Sequence, residues 1–265
     1  MNIFTRELKA NRKSLIIWSV GVLFLIASGM GKYAGMEGTG ETINELMNEM
    51  PESLQAIMGT SGFDLSSALG YYGMLYLYLT VMTSIHAVML GSGIIAKEER
   101  DKTAEFLLVK PVSRSVIITA KMAASLINIL LLNAVAFLTS IAFLQQYAKG
   151  EVVLESVIQL MQGMFLLQVI FLVIGTAAAA VHQKAKKAGA LSTGILLLAF
   201  VTSVAINLNE KLEILKYATP FKYFDAGPII NGDGLDLTYL AISTILIILL
   251  IAVTYRFYQK KDMNI

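Results

Sequence analysis

The sequence predicts an all-α integral membrane protein with six transmembrane helices and both termini in the cytosol. Composition is the first reason: 56% of the 265 residues are hydrophobic and 15% are charged, whereas about 25% are charged in an ordinary soluble domain. Six long charge-free runs are the second reason. The third is the distribution of Lys and Arg among the connections between these runs, which sets the orientation of a membrane protein.

The six charge-free runs each contain 18 or more residues. A helix rises 1.5 Å per residue, so about 20 residues cross a hydrocarbon layer of ~30 Å. In chain order, the predicted spans are residues 14–33, 69–96, 119–146, 156–181, 188–208 and 237–257. Because no low-complexity linker divides them, residues 1–265 are predicted to form one transmembrane domain.

Loop charges predict the orientation. Of the 21 Lys and Arg residues, 16 fall in the two terminal segments and in the second-to-third and fourth-to-fifth connections. These segments are therefore predicted to be cytosolic. Of the 19 acidic residues, 13 fall on the other side. The charged stretch from Arg6 to Lys13 predicts a cytosolic lead-in helix before an uncleaved first span, because no small-residue cleavage site follows that span.

The segment between spans 1 and 2 is predicted to lie outside the membrane as two short helices. Thr42 and Glu45 have the spacing of a capping box, and Pro51 separates the two helices. The segment is acidic and rich in methionine. A solvated face on an interfacial helix explains these residues better than a lid for cationic cargo does.

Several chemistries are excluded by what the sequence lacks. It contains no cysteine, so thiol nucleophiles and Cys-ligated metals are excluded. It has no phosphate-binding P-loop motif, so the energy source must be another chain or an ion gradient. Basic residues without interleaved aromatics make nucleic-acid binding unexpected. No catalytic, cofactor or metal site is predicted on this chain.

The most specific segment is residues 97–121, which carry ten charges. A helix from Glu98 would place an apolar stripe on one face, Pro111 would end it, and Ser113 would cap the third span. An interfacial helix and a docking element for a cytosolic partner explain this pattern equally well.

Residues 98–114, followed by Lys121, resemble the coupling-helix signature of type-2 ATP-binding-cassette (ABC) exporter permeases. Residues 6–9 resemble the amphipathic elbow helix of this family, residues 220–225 its outer motif, and residues 260–262 its basic tail. Lys102 departs from the family pattern, which usually has Gly. The resemblance implies that the ATPase-coupling residues are Glu98, Glu99, Arg100, Lys102, Thr103, Glu105, Phe106, Leu107, Leu108, Pro111 and Arg114.

The resemblance also implies the partners. Two permeases pair, as a homodimer or heterodimer, and two copies of a cytosolic ABC ATPase dock beneath them in a bacterial cell membrane. This chain would bind no cofactor, because ATP and Mg²⁺ would belong to the ATPase. Membrane lipid is the remaining expected partner.

Small residues suggest where two permeases would meet, because they let helices approach closely. Packing within one protomer explains any single position about as well. The dimer-interface candidates are Ala27, Gly31, Gly35, Gly189, Thr193 and Gly194.

Four polar residues within the spans are candidates for a substrate path, although helix-bridging hydrogen bonds are the commoner role of such groups. They are His86, Asn128, Asn133 and Gln162. We therefore expect a permease that exports a hydrophobic or amphipathic molecule, such as an antimicrobial peptide, a drug or a lipid. The alternatives are a stand-alone ion- or proton-coupled carrier and a membrane scaffold or sensor.

Overall fold

The computed structural model describes residues 3–36, 43–60, 62–101, 112–148, 153–182 and 184–261. These residues form helices and contain no strand, which confirms the all-α prediction. Within the described ranges, six helices are long and apolar enough to cross a membrane, and each contains one predicted span. They are α1 (Ile3–Met36), α4 (Ala68–Arg100), α5 (Arg114–Tyr147), α6 (Leu154–Val181), α7 (Ala185–Leu208) and α9 (Leu237–Lys260).

The N-terminal residues differ from the prediction. They do not form a separate elbow helix, because α1 runs without a break from Ile3 to Met36. Neither Gly nor Pro occurs in this chain before Gly21, so nothing in the sequence interrupts the hydrogen bonds of the first turns. The lead-in residues are therefore the first turns of the first long helix.

Short helices lie in two of the connections. Between α1 and α4 are α2 (Ile43–Asn48) and α3 (Glu52–Met58), and Pro51 separates them as predicted. Thr42, the other half of the predicted capping box, lies outside the described residues. Between α7 and α9 are two 3₁₀ helices (Glu210–Ala218 and Pro220–Lys222) and α8 (Ala226–Ile230).

The centre of the bundle is the pair α4 and α6, whose most apolar segments are largely buried. Their backbones touch at two glycines. A Cβ at Gly91 would lie 2.3 Å from the carbonyl oxygen of Leu172, and one at Gly175 would lie 2.6 Å from that of Val88. Only glycine permits this approach, so these two residues set the distance between the central helices.

The other four long helices surround this pair, with α1 packed mainly on α5 and α9 mainly on α6. Large apolar side chains remain uncovered on their outward faces, among them Ile17, Phe24, Leu138, Leu198 and Ile248. Such faces suit a hydrocarbon solvent, in which apolar side chains need no burial in protein.

Candidate functional site

One end of the bundle gathers the helix ends that flank the predicted coupling segment. Ile3, Ile94, Ile117, Ala188 and Tyr258 belong to one buried apolar cluster. This cluster brings together the starts of α1, α5 and α7 and the ends of α4 and α9. We call this the terminal end, because the first and last described residues of the chain lie there.

A buried network of charged side chains lies at the terminal end. The carboxylate of Glu98 on α4 accepts hydrogen bonds from Lys121 on α5 and from Arg6 on α1, the latter at 3.0 Å. The carboxylate of Glu7 accepts from Arg6 at 2.8 Å and from Lys97 at 3.2 Å. The side chains of Glu7 and Lys121 are fully buried. We call these five residues the ionic network.

The arrangement of the ionic network explains how charges are tolerated inside the bundle. A buried ion must be paired and hydrogen-bonded, or its desolvation is too costly. Here each carboxylate is held by two cations, and the Lys121 ammonium also donates to the carbonyl oxygen of Ile94 at 2.5 Å. The network therefore joins α1, α4 and α5 through mutually satisfied charges.

A second set of contacts fastens the end of α9 to the same place. The Lys261 ammonium donates to Glu99 and to the carbonyl oxygen of Ala179, both at 2.9 Å. The Arg114 guanidinium donates to the carbonyl oxygens of Gln259 at 3.1 Å and Lys261 at 2.6 Å. Because the last carbonyls of a helix have no partner within it, Arg114 acts as a cap supplied by another helix.

Some of the predicted coupling residues lie at the terminal end of the bundle, and the others fall outside the described residues. Glu98 is buried and Glu99 is paired within the bundle, so both lie inside the bundle end. Arg114 begins α5, and Ser113 caps that helix by accepting from the Val116 amide at 3.3 Å, as predicted. The backbone of Arg100 ends α4. The other predicted coupling residues lie outside the described residues: Lys102, Thr103, Glu105, Phe106, Leu107, Leu108 and Pro111.

The four polar substrate-path candidates are not brought to one place. Asn133 and Gln162 line the same groove, of about 370 Å³, between α5 and α6, and the Asn133 amide donates across it to the Met161 carbonyl oxygen at 3.2 Å. Asn128 donates to the carbonyl oxygen of Ala124 within its own helix at 2.9 Å. His86 lies in a different cavity, between α1 and α4.

The glycines among the dimer-interface candidates lie where another helix could approach. A Cβ built at any of Gly31, Gly35, Gly189 and Gly194 meets no atom within 4 Å. Gly31, Gly35 and Gly194 are exposed, whereas Ala27 and Thr193 are partly buried. The four glycines therefore leave room on their helices for another helix to approach, whereas Ala27 and Thr193 are partly covered within the protomer.

Sequence reasoning missed the partners in the ionic network. The sequence places Glu7 in the stretch that resembles an elbow helix, Lys97 at the start of the charged segment and Lys261 in a basic tail, and it predicts no buried ion pair for any of them. One signal was available. Glu7 is the only acidic residue in a strongly basic N-terminal segment. A segment that served only to keep positive charge on the cytosolic side of the membrane would need no acidic residue. The choice of partner depends on helix rotation, which the sequence does not specify.

Comparison with known protein families assigns the chain to a family. The model of the family described as "ABC-2 family transporter protein" matches residues 1–263, nearly the whole chain. No significant match was found among curated proteins.

Proposed function

Because the chain belongs to the ABC-2 family of transporter proteins, and is therefore a multi-pass membrane subunit of an ABC transporter, we propose that it is an exporter permease coupled to its partner ATPase through residues 98–114. In this proposal two permeases pair and two ATPase subunits bind ATP and Mg²⁺ beneath them. The terminal end, with both termini, faces the cytosol of a bacterial cell.

The observation that supports this proposal most directly is the ionic network. Movement of the coupling segment must pass into α4 and α5, which it connects. Glu98 and Lys121 join these two helices, and Arg6 joins them to α1. Interlocked buried charges resist being pulled apart, because separation leaves an unpaired ion in an apolar medium. The ends of α1, α4 and α5 would therefore move as one body when an ATPase pushes on the segment.

The proposed cargo is a hydrophobic or amphipathic molecule. Between the terminal end and the opposite end, the described spans carry polar groups that are almost all uncharged hydroxyls and amides. A path lined in this way offers no counter-ion to a strongly charged solute. An antimicrobial peptide, a drug or a lipid fits such a path.

Docking is tested by a charge placed on the apolar part of the coupling segment. The double variant Phe106→Asp and Leu107→Asp is expected to abolish co-purification of the ATPase, because an apolar stripe that seats in a partner groove cannot accept two desolvated carboxylates. Membrane insertion should remain normal. The matched control is Ile214→Asp, which changes an exposed apolar residue near the other end of the bundle. Assembly of the double variant at full yield would refute the docking role.

Export is tested in vesicles that contain the permease with or without the ATPase encoded beside it. Cargo movement should require the ATPase and ATP and should survive collapse of the proton gradient. Movement that persists without the ATPase and stops with the gradient would identify a proton-coupled carrier instead.

A further inference from the structure

An elongated cavity of about 260 Å³ lies between α1 and α4. It combines polar and apolar walls, which distinguishes it from the wholly lipid-like outer faces of the bundle. We call it the α1–α4 slot. Its lining residues are Glu7, Ala10, Asn11, Ser14, Trp18, His86, Met89, Leu90, Gly93, Ile94 and Lys97.

The α1–α4 slot extends from the terminal end towards the middle of the bundle. Lys97 and Glu7 line one end of it, and His86 lies eleven residues before Lys97 on α4. At 1.5 Å per residue, this separation is ~16 Å, about half of a ~30 Å hydrocarbon layer. The slot therefore follows one leaflet of the membrane, from its surface to near its midplane.

The deep part of the slot holds a polar atom without a partner. His86 is 3% exposed, and its Nδ1 has no hydrogen-bond partner. The indole ring of Trp18 lies against the imidazole, with the ring centroids 5.4 Å apart. A buried nitrogen that lacks a partner carries the full cost of its desolvation, so a hydrogen bond from a polar group that reached the imidazole would be favourable.

At the charged end of the slot, the Glu7 carboxylate is already paired. One carboxylate oxygen of Glu7 is held by Arg6 and the other by Lys97. A charged ligand would have to compete with these pairs, whereas a neutral ligand need not. The imidazole and the apolar walls, rather than charge, therefore determine which ligands the slot would bind.

The slot is open because α1 does not close on this face of α4. Gly93 lines it, and a Cβ at Gly93 meets no atom within 4 Å. Two residues earlier, Gly91 faces α6 and is in backbone contact with it. The face of α4 that carries Gly91 is thus in backbone contact with α6, while the face that carries Gly93 leaves room for a ligand. Met89, which is 55% exposed, lies at the rim.

We propose that the α1–α4 slot binds an amphipathic molecule that carries a neutral hydrogen-bonding group, such as a hydroxyl or an amide, with the His86 imidazole as the partner of that group. The apolar body of the molecule lies against Trp18 and Met89. This proposal rests on the proposed export function and makes the slot an entry site for cargo from the leaflet at the terminal end.

The test uses the full-length chain in lipid nanodiscs and a photoreactive twelve-carbon alcohol as the probe. Labelling should be saturable, should map to peptides containing Trp18 or Met89, and should be displaced by dodecanol but not by dodecane. The variant His86→Leu should reduce labelling roughly fivefold, as expected for the loss of one buried hydrogen bond. The variant His86→Gln, which keeps a hydrogen-bonding group, should restore most of it.

Two further variants separate a binding site from general lipid contact. Gly93→Leu should fill the slot from its α4 wall, seven residues after His86, while Asn133→Leu, in the α5–α6 groove, should leave the labelling unchanged. Non-saturable labelling, equal displacement by dodecane, or full labelling of His86→Leu would overturn the proposal. Co-purification of the ATPase is measured in parallel. If the ATPase still binds while the probe does not, only the slot is refuted; if the ATPase does not bind, the coupling proposal fails separately.

Discussion

At the scale of single residues, Lys121 shows that a charged side chain can be buried in this bundle when it is paired and hydrogen-bonded. The lysine is fully buried although its charge would ordinarily keep it at a membrane surface. It remains inside because Glu98 and the Ile94 carbonyl oxygen replace the water that its ammonium group has lost. Removal of the Glu98 charge leaves the buried Lys121 ammonium without the carboxylate that it donates to, and removal of Lys121 leaves Glu98 with Arg6 as its remaining cation.

The variant Lys121→Met should therefore be strongly destabilising. Loss of one member of a buried ion pair costs about 3–5 kcal/mol, and the methionine side chain fills most of the same space. Thermal unfolding in detergent or nanodiscs should show a clearly lowered Tm, and the double variant Lys121→Met with Glu98→Gln should recover part of the loss.

The matched control is Lys216→Met, which breaks the exposed pair of Lys216 and Glu213. Solvent screens such a pair, so this variant should unfold like the wild type. Equal stability of Lys121→Met and wild type would show that the ionic network does not hold the helices together.

Asp64 supports a prediction about pH. Hydrogen bonds from the Ser66 hydroxyl, the Asn44 amide and the Ser66 backbone N–H lower the pKa of this carboxyl. A lowered pKa means that the stabilisation is complete above the ordinary value of about 4 and is lost as the pH falls through the lowered value. Asn44 also accepts from the Leu65 amide at 2.9 Å, so these bonds fasten α2 to the start of α4.

Asp64→Ala should accordingly speed hydrogen exchange of residues 43–67 at pH 6, and its difference from the wild type should shrink below about pH 4. Glu49→Ala, which removes an exposed carboxylate from the same segment, is the control. An undiminished difference at low pH would indicate that the carboxylate is not the anchor.

At the scale of residues, the sequence predicts contacts between residues that are close to each other along the chain. Ser113 was identified as a cap because capping joins residues three apart. The pairing of Glu7 with Lys97 was not predicted, since it depends on how two distant helices are rotated against each other.

At the scale of helices, the contact between α4 and α6 fixes the core. Gly91 and Gly175 each place their Cα against the backbone of the other helix. A backbone atom cannot move aside as a flexible side chain can, so any larger residue must push the helices apart. The six long helices were predictable because their length and hydropathy reflect membrane thickness. Their contacts were not, because helix packing within a membrane depends on small differences in shape.

Gly175→Ala should therefore destabilise the bundle by about 1–3 kcal/mol, the usual cost of overpacking, and thermal unfolding should measure it. Gly93→Ala is the control, because its Cβ meets open space and alanine favours the helix. If the two alanine variants unfolded alike, the close contact of α4 and α6 would not determine stability.

At the scale of the whole molecule, we propose that two copies meet through the outward faces of α1 and α7. Val20 on α1 is 61% exposed, and Gly194 on α7 is exposed with open space around its Cβ. Each lies six residues from the start of its predicted span, so both occupy about the same depth in the membrane. In this proposal α1 of each copy pairs with α7 of the other. Val20 of each copy would then lie beside Gly194 of the other, because a two-fold axis repeats every contact.

The absence of cysteine from the chain makes this pairing directly testable. The double variant Val20→Cys with Gly194→Cys should form covalent dimers on mild oxidation in membranes, seen as a band of doubled mass that a reductant removes, because a disulfide requires Cα atoms within about 7 Å. The control pairs Val20→Cys with Leu249→Cys, which places the second thiol at a similar depth on the exposed face of α9. Dimers in both variants would indicate random collision. A lack of dimers in the first variant would exclude an α1–α7 interface between copies of this chain.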